Sequence, residues 1–186
     1  MKKTAFLTLF LCILCFSAKA QAFQEYLALF PTLTTNVVWT GDDLEKARKT
    51  GKNVPIKLQN FINGQFAAVG TITDYCFPMG KLEIGGTFIV FFAQHGIDYQ
   101  EIENTQISLN ARVYDKKGKI LGGGIQNYMA NNGGVPKRFS YSFVASLDFK
   151  ARKLVLDQTA SDKSMEQILT YRLTKKGFDL ESNKKK

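Results

Sequence analysis

The chain has 186 residues, with 25 basic and 16 acidic side chains, one histidine and three cysteines. A chain of this length is one domain and buries roughly 70% of its unfolded surface, so folding requires neither a disulfide framework nor a structural metal. The formal net charge of +9 would draw acidic partners if it were concentrated, but it is scattered along the sequence and supports a solvated, mildly basic surface.

The first element is an address. Lys2 and Lys3 precede an apolar run from Ala5 to Phe16, too short to span a ~30 Å hydrocarbon layer as a helix. Ser17-Ala18-Lys19-Ala20 follows, with small residues at the −3 and −1 positions, the three-part pattern of a secretory signal peptide cut after Ala20. Cys12 and Cys15 form a C-x-x-C inside the discarded part. A redox dithiol would need a folded site that lowers a thiol pKa, and a zinc site would need a second pair of ligands. Lipid attachment at Cys15 is disfavoured, because Leu14 stands where a small residue is required. Cleavage removes Lys2, Lys3 and Lys19, leaving 22 basic against 16 acidic side chains, a net charge of +6. Cys76 is then the only cysteine, so no intrachain disulfide forms.

Residues 21–65 read as a helical and extended segment. In "AFQEYLALFP", Phe23, Tyr26, Leu27 and Phe30 recur at i, i+3, i+4 and i+7, one apolar helix face ended by Pro31. "TGDDLEKARKTG" predicts a second helix with Asp42 as N-cap, acids early, bases late, and Gly51 as the stop. "IKLQNFIN" fits either a helical turn or an extended stretch.

Residues 66–181 change to a period of two. "ISLNARVY" and "RFSYSFVASLDF" alternate apolar and polar positions, as antiparallel strands with one buried face do, whereas "FIVFFA" is apolar on both faces and reads as a central strand. "KLVLDQ", "QILTYRL" and "FDLES" complete the set. "YDKKGKI" and "LTKKGFDL" share one hairpin design, two turn lysines before a glycine, with Gly118 and Gly177 at the positive-φ position. The expected fold is mainly β (α+β): short N-terminal helices followed by a single antiparallel meander of about seven or eight strands, curved or barrel-like. The stretches "MGKLEIGG", "HGIDYQEIENT", "NYMANNGGVPK" and "TASDKSME" read as the longer loops, and residues 182–186 as a disordered basic tail.

The order of a signal peptide, a "YLALFP" helix, an acidic-start helix, a meander with "YDKKGKIL" and a final "TYRLTKKGFDL" hairpin resembles small secreted or periplasmic β-rich proteins of the Bacteroidetes. The resemblance implies compartment and fold class; that group has no assigned activity, and no functional residue carries over from it.

Little in the chain signals chemistry. His95 is the only histidine, so any Ser-His-Asp or Cys-His mechanism must use it, with Cys76 as nucleophile and Asp98 or Glu101 to orient the ring. Yet "DYCFP" sets Cys76 between aromatics, where a thiol pKa rises, and "AQHGID" reads His95 as a solvated loop residue. One histidine and one cysteine do not make a zinc shell, and no calcium-loop pattern is present. Gly122 to Gly124 lack the lysine of a phosphate loop and read as a strand bulge. Arg138, Phe139 and Tyr141 interleave charge with aromatics, but alternation turns the rings toward the core.

No catalytic, cofactor-binding or metal-ligating residue is assigned. The binding-loop candidates are Tyr128, Asn131, Asn132, His95 and Tyr99. The expectation is an exported, periplasmic or extracellular, non-enzymatic domain that binds a protein, glycan or envelope component. It needs no cofactor or nucleic acid, and has no transmembrane segment once the leader is removed. The alternatives are a small apolar-ligand carrier with a curved sheet or barrel, and a hydrolase built on His95.

Overall fold

The computed structural model describes residues 19–63, 75–97, 105–122, 126–130, 141–160 and 166–186. The first element, helix α1, covers residues 19–28. Strand β1 (Val37–Thr40) leads directly into α2 (Gly41–Thr50), followed by a 3-10 turn (Ile56–Leu58) and a single helical turn, α3 (Asn60–Asn63). Nine strands complete the order: β2 (Tyr75–Ile84), β3 (Thr87–Ile97), β4 (Thr105–Tyr114), β5 (Ile120–Gly122), β6 (Gln126–Ala130), β7 (Tyr141–Asp148), β8 (Lys153–Ala160), β9 (Gln167–Thr174) and β10 (Gly177–Lys185).

The expected single meander of seven or eight strands is instead ten strands in two antiparallel sheets. One has the order β2-β3-β4-β5, with β6 also pairing β4; the other has the order β1-β7-β8-β9-β10. Among the described residues the two ladders do not join into a closed barrel. Alternation shows which face of a strand is buried, but it carries no information on which sheet the strand joins.

The double-sided apolar character of β3 explains the layering. Ile89, Phe91 and Ala93 point into the space between the sheets, where they meet Trp39, Phe143, Ala145, Leu147, Leu154 and Leu156 from the opposite sheet, together with Leu44 of α2. Val90 and Phe92 leave the other face and pack under Phe23, Tyr26, Leu27 and Phe30 of the N-terminal helical segment, with Val54, Leu58 and Ile62. The first sheet is thus sandwiched between a helical layer and the second sheet. The i, i+3, i+4, i+7 face of "AFQEYLALFP" is the face that is buried.

Several local details differ from expectation for identifiable reasons. Helix α2 starts at Gly41, so the cap falls on Thr40, whose N–H and hydroxyl both donate to the Asp43 carboxylate at 2.8 Å; Asp42 lies in the first turn. Gly51 does end the helix, with an ordinary φ of −77°. It is needed for space, because a Cβ there would collide with the Ala47 carbonyl. "MGKLEIGG" is not a loop: it belongs to β2 and its two-residue turn. Pro78 is accommodated because β2 is an edge strand whose register shifts between Pro78 and Gly80. Residues 31–33 cover that edge, with Lys81 N–H donating to the Pro31 carbonyl and Leu33 N–H to the Lys81 carbonyl, both at 2.8 Å. The tail at 182–186 is ordered: β10 runs to Lys185, with Lys184 opposite Ile168 and Lys185 opposite Gln167. "IKLQNFIN" resolves into the 3-10 turn and α3. Gly122 closes β5, and Gly123 and Gly124 lie outside the described residues.

Candidate functional site

Four hairpin connections meet at one end of the sandwich. The β2–β3 turn is Gly85-Gly86, at φ +59° and +83°, the two-residue geometry that suits the twist of paired strands. In the β4–β5 turn, Asp115 Oδ1 accepts from the N–H groups of Lys117 and Lys119, and Gly118 takes φ +77°. In the β7–β8 turn, Asp148 Oδ1 accepts from Ala151 N–H, and Arg152 takes φ +54°. In the β9–β10 turn, Thr174 Oγ1 accepts from Lys176 N–H, and Gly177 takes φ +123°.

Direct contacts hold these turns together. Thr87 Oγ1 donates to the Lys175 carbonyl at 2.9 Å, and Leu173 N–H donates to the Arg152 carbonyl at 2.8 Å. The Lys116 side chain lies against Gly86. A meander returns every second connection to the same end, so the turn lysines that look scattered in sequence are gathered in space.

The floor between the turns is apolar. A cleft of about 180 Å³ is lined by Leu82, Ile84, Leu147 and Leu173 below, and by Phe149, Lys150, Arg152 and Glu83 at its rim. It opens into a shallower concavity bordered by Lys153, Arg172 and Lys175. The charges divide into two sets. Glu181 sits between Lys153 Nζ at 3.2 Å and Arg172 at 2.5 Å; hydrogen bonding from Lys153 and then Arg172 holds its carboxyl below the usual range. Lys116, Lys117, Lys150, Arg152, Lys175 and Lys176 are exposed and make no ion pair among the described residues. Asp115 and Asp148 accept from backbone N–H groups of their own turns, and among the described residues Glu83 is the one carboxylate on the cleft lining. Such an end can attract and desolvate an anion while offering apolar contact beside it.

The residues expected to matter lie elsewhere. His95 is not a solvated loop residue: it is 8% exposed within β3, opposite Tyr75 and Ile107, because β3 extends two residues past it. Cys76 is fully buried opposite Gln94 and belongs to the core under the helices. His95 has the strand parity of Phe91 and Ala93, so the thiol and the imidazole leave opposite faces of the sheet. Tyr128 stands in β6, its backbone opposite Ser108. Tyr99, Asn131, Asn132, Asp98, Glu101, Arg138 and Phe139 lie outside the described residues, as do Cys12 and Cys15. Tyr141 begins β7.

Other polar side chains inside the fold satisfy one another. Asn110 Nδ2 donates to Ser108 Oγ at 2.8 Å and Gln94 Oε1 at 3.3 Å, and Arg112 Nε donates to the Ile62 carbonyl while its guanidinium lies 5.8 Å from the centre of the Phe92 ring. Among the described residues there is no group of three or more His, Cys, Asp or Glu side chains placed to hold a metal ion, and no helix is long and apolar enough to cross a membrane.

The basic turn end was hidden from sequence reasoning because its residues come from four separate hairpins; the available signal was the repeated pair of turn lysines in "YDKKGKI" and "LTKKGFDL". Comparison of the chain with protein-family models, with curated proteins and with solved structures finds no match.

Proposed function

We propose that this chain is an exported, non-enzymatic binding domain that engages an acidic envelope component or extracellular ligand through its basic turn end. The observation that carries the reading is that six exposed cations stand on the turns of one end with no ion pair among the described residues, and that three of them, Lys150, Arg152 and Lys175, line an apolar-floored cleft or the concavity beside it. Export rests on the three-part N-terminal pattern with cleavage after Ala20. The buried face of α1 starts at Phe23, downstream of that point, so a mature chain beginning at Gln21 keeps all of it. The placement of Cys76 and His95 on opposite faces of the first sheet counts against a hydrolase that pairs this thiol with this imidazole. The interlayer space filled by Phe91, Trp39, Phe143 and Leu156 favours a surface site over a ligand carried inside a barrel.

The test is binding of dextran sulfate, as a defined polyanion, by the mature protein over a range of salt concentrations. Affinity falls as salt rises, and the combined substitution Lys150→Gln, Lys175→Gln and Lys176→Gln weakens binding and flattens the salt dependence. Equal binding by this variant and the native chain refutes the assignment of the site.

A further inference from the structure

Among the described residues, positive φ angles occur at Gly85, Gly86, Gly118, Gly177 and one non-glycine residue, Arg152. All five positions are in the hairpin turns of the basic end. In the β7–β8 turn the left-handed conformation serves the backbone: it presents the Arg152 carbonyl to Leu173 N–H, 2.8 Å away. Glycine would do this without the steric cost that a Cβ brings in that region. The other three turns use glycine; this one spends that strain on an arginine. Its side chain is exposed, makes no ion pair among the described residues, and lines both the cleft and the adjoining concavity. Strain held at a residue whose side chain makes no ion pair or hydrogen bond among the described residues, and which borders a cleft, points to a ligand for that side chain.

We infer that Arg152 anchors the anionic head of a monomeric amphiphile, a phosphate-type group on a short alkyl chain, with the chain seated between the β2–β3 and β7–β8 turns; this rests on the anion-binding reading above. The head follows from the guanidinium, whose planar fork pairs two oxygens of one anion, with Lys150 beside it. The chain follows from the floor: Leu82, Ile84, Leu147 and Leu173 line the cleft, and all four are buried below the rim. A recessed floor admits one chain at a time, whereas a bilayer face would require apolar side chains that project. Glu83 on the same lining opposes the head and limits affinity.

The test is calorimetric titration of the mature protein with hexyl phosphate, inorganic phosphate and hexanol, alongside sedimentation with phosphatidylglycerol vesicles. Hexyl phosphate should bind at least about tenfold more tightly than either fragment, and the vesicles should not compete. Arg152→Gly should lose at least about tenfold in hexyl phosphate affinity while its melting temperature stays level or rises, since glycine suits the turn. Glu83→Gln should bind more tightly, which keeps the idea testable if Arg152→Gly folds poorly. The inference is overturned if hexyl phosphate binds no better than inorganic phosphate, if Arg152→Gly or Glu83→Gln binds as the native chain does, or if vesicles bind and hexyl phosphate does not. If dextran sulfate binds while hexyl phosphate fails, only the amphiphile is lost; if both fail, the anion-binding reading falls with it.

Discussion

The hydroxyls of Tyr26 and Tyr114 meet 3.1 Å apart between helix α1 and the first sheet, and Tyr114 donates onward to the Phe61 carbonyl at 2.6 Å. A phenol has one proton to give, so Tyr26 is the donor in the pair. The chain Tyr26 to Tyr114 to Phe61 therefore has a direction, and its two tyrosines are not equivalent.

Tyr114→Phe leaves both the Tyr26 proton and the Phe61 carbonyl without their partner, and should cost about 2–3 kcal/mol. Tyr26→Phe removes only a donor and should cost about 1 kcal/mol. Chemical denaturation of the two variants gives the comparison; equal losses would mean that the direction is wrong.

The same pair controls the alkaline limit. Burial raises both phenols above the ordinary value near 10, with the Tyr114 neighbour the next contribution for Tyr26. A raised folded pKa means that the stabilising contribution is complete below pH 10 and is lost as pH climbs past it, because only the unfolded chain releases those protons. Stability should fall steadily above pH 10, and tyrosinate absorbance should show two phenols that ionise only on unfolding. Lys81 acts in the opposite sense. Burial lowers its pKa while Nζ donates to the Leu27 carbonyl at 2.5 Å, so the cost of holding it charged fades as pH approaches 10.5. Lys81→Met should cost about 1–2 kcal/mol near neutrality through the lost bond at the end of α1, and should make the alkaline decline steeper.

Glycines in equivalent turns should not be equally replaceable. At Gly118 an added Cβ would lie 2.7 Å from the Phe23 ring as well as facing φ +77°, whereas at Gly85 it would meet only Lys175 Cβ at 3.9 Å. Gly118→Ala should cost about 2–4 kcal/mol, combining the left-handed strain with overpacking, and Gly85→Ala about 1–2 kcal/mol. Thermal melts of the two variants decide it.

Cys76, fully buried beneath the helical layer, should resist thiol reagents in the native state. Labelling should follow global unfolding across a denaturant series; rapid labelling in native buffer would show that the helical layer opens independently.

Much of the fold was legible because its cause is local. Phe23, Tyr26, Leu27 and Phe30 announce a helix face by spacing alone, "ISLNARVY" announces a strand, and Gly118 and Gly177 announce their turns. What escaped had causes at a distance. β1 is four residues between two helical patterns and is a strand only because β7 lies beside it, Val38 opposite Ser146. β2 carries Pro78 and a register shift between Pro78 and Gly80 that an edge strand tolerates and a central one does not. His95 looked like a loop residue because Gly96 follows it, although pairing with β4 continues to Ile97. The basic end was least legible of all. Arg152, Lys175 and Lys116 are far apart in sequence, and only the return of the meander brings them together. The strain at Arg152 has no signature in residue type.

The outermost strand of the second sheet has a consequence for how this molecule behaves in company. Among the described residues β10 pairs with β9 alone, leaving the other margin of its nine residues without a strand partner, the arrangement that invites a neighbour to add a further strand. Its own residues discourage this: the register slips between Leu180 and Ser182, Glu181 is drawn sideways by Arg172 and Lys153, and Lys184 and Lys185 repel a like margin. Behind it, β9 offers Ile168, Leu169, Tyr171 and Leu173, with Arg172 as its one charged residue and no register shift against β8. The final hairpin arm therefore works as a guard rail. A chain shortened before Gly177 would keep most of its core and lose its colloidal restraint, polymerising through the margin that β10 now occupies.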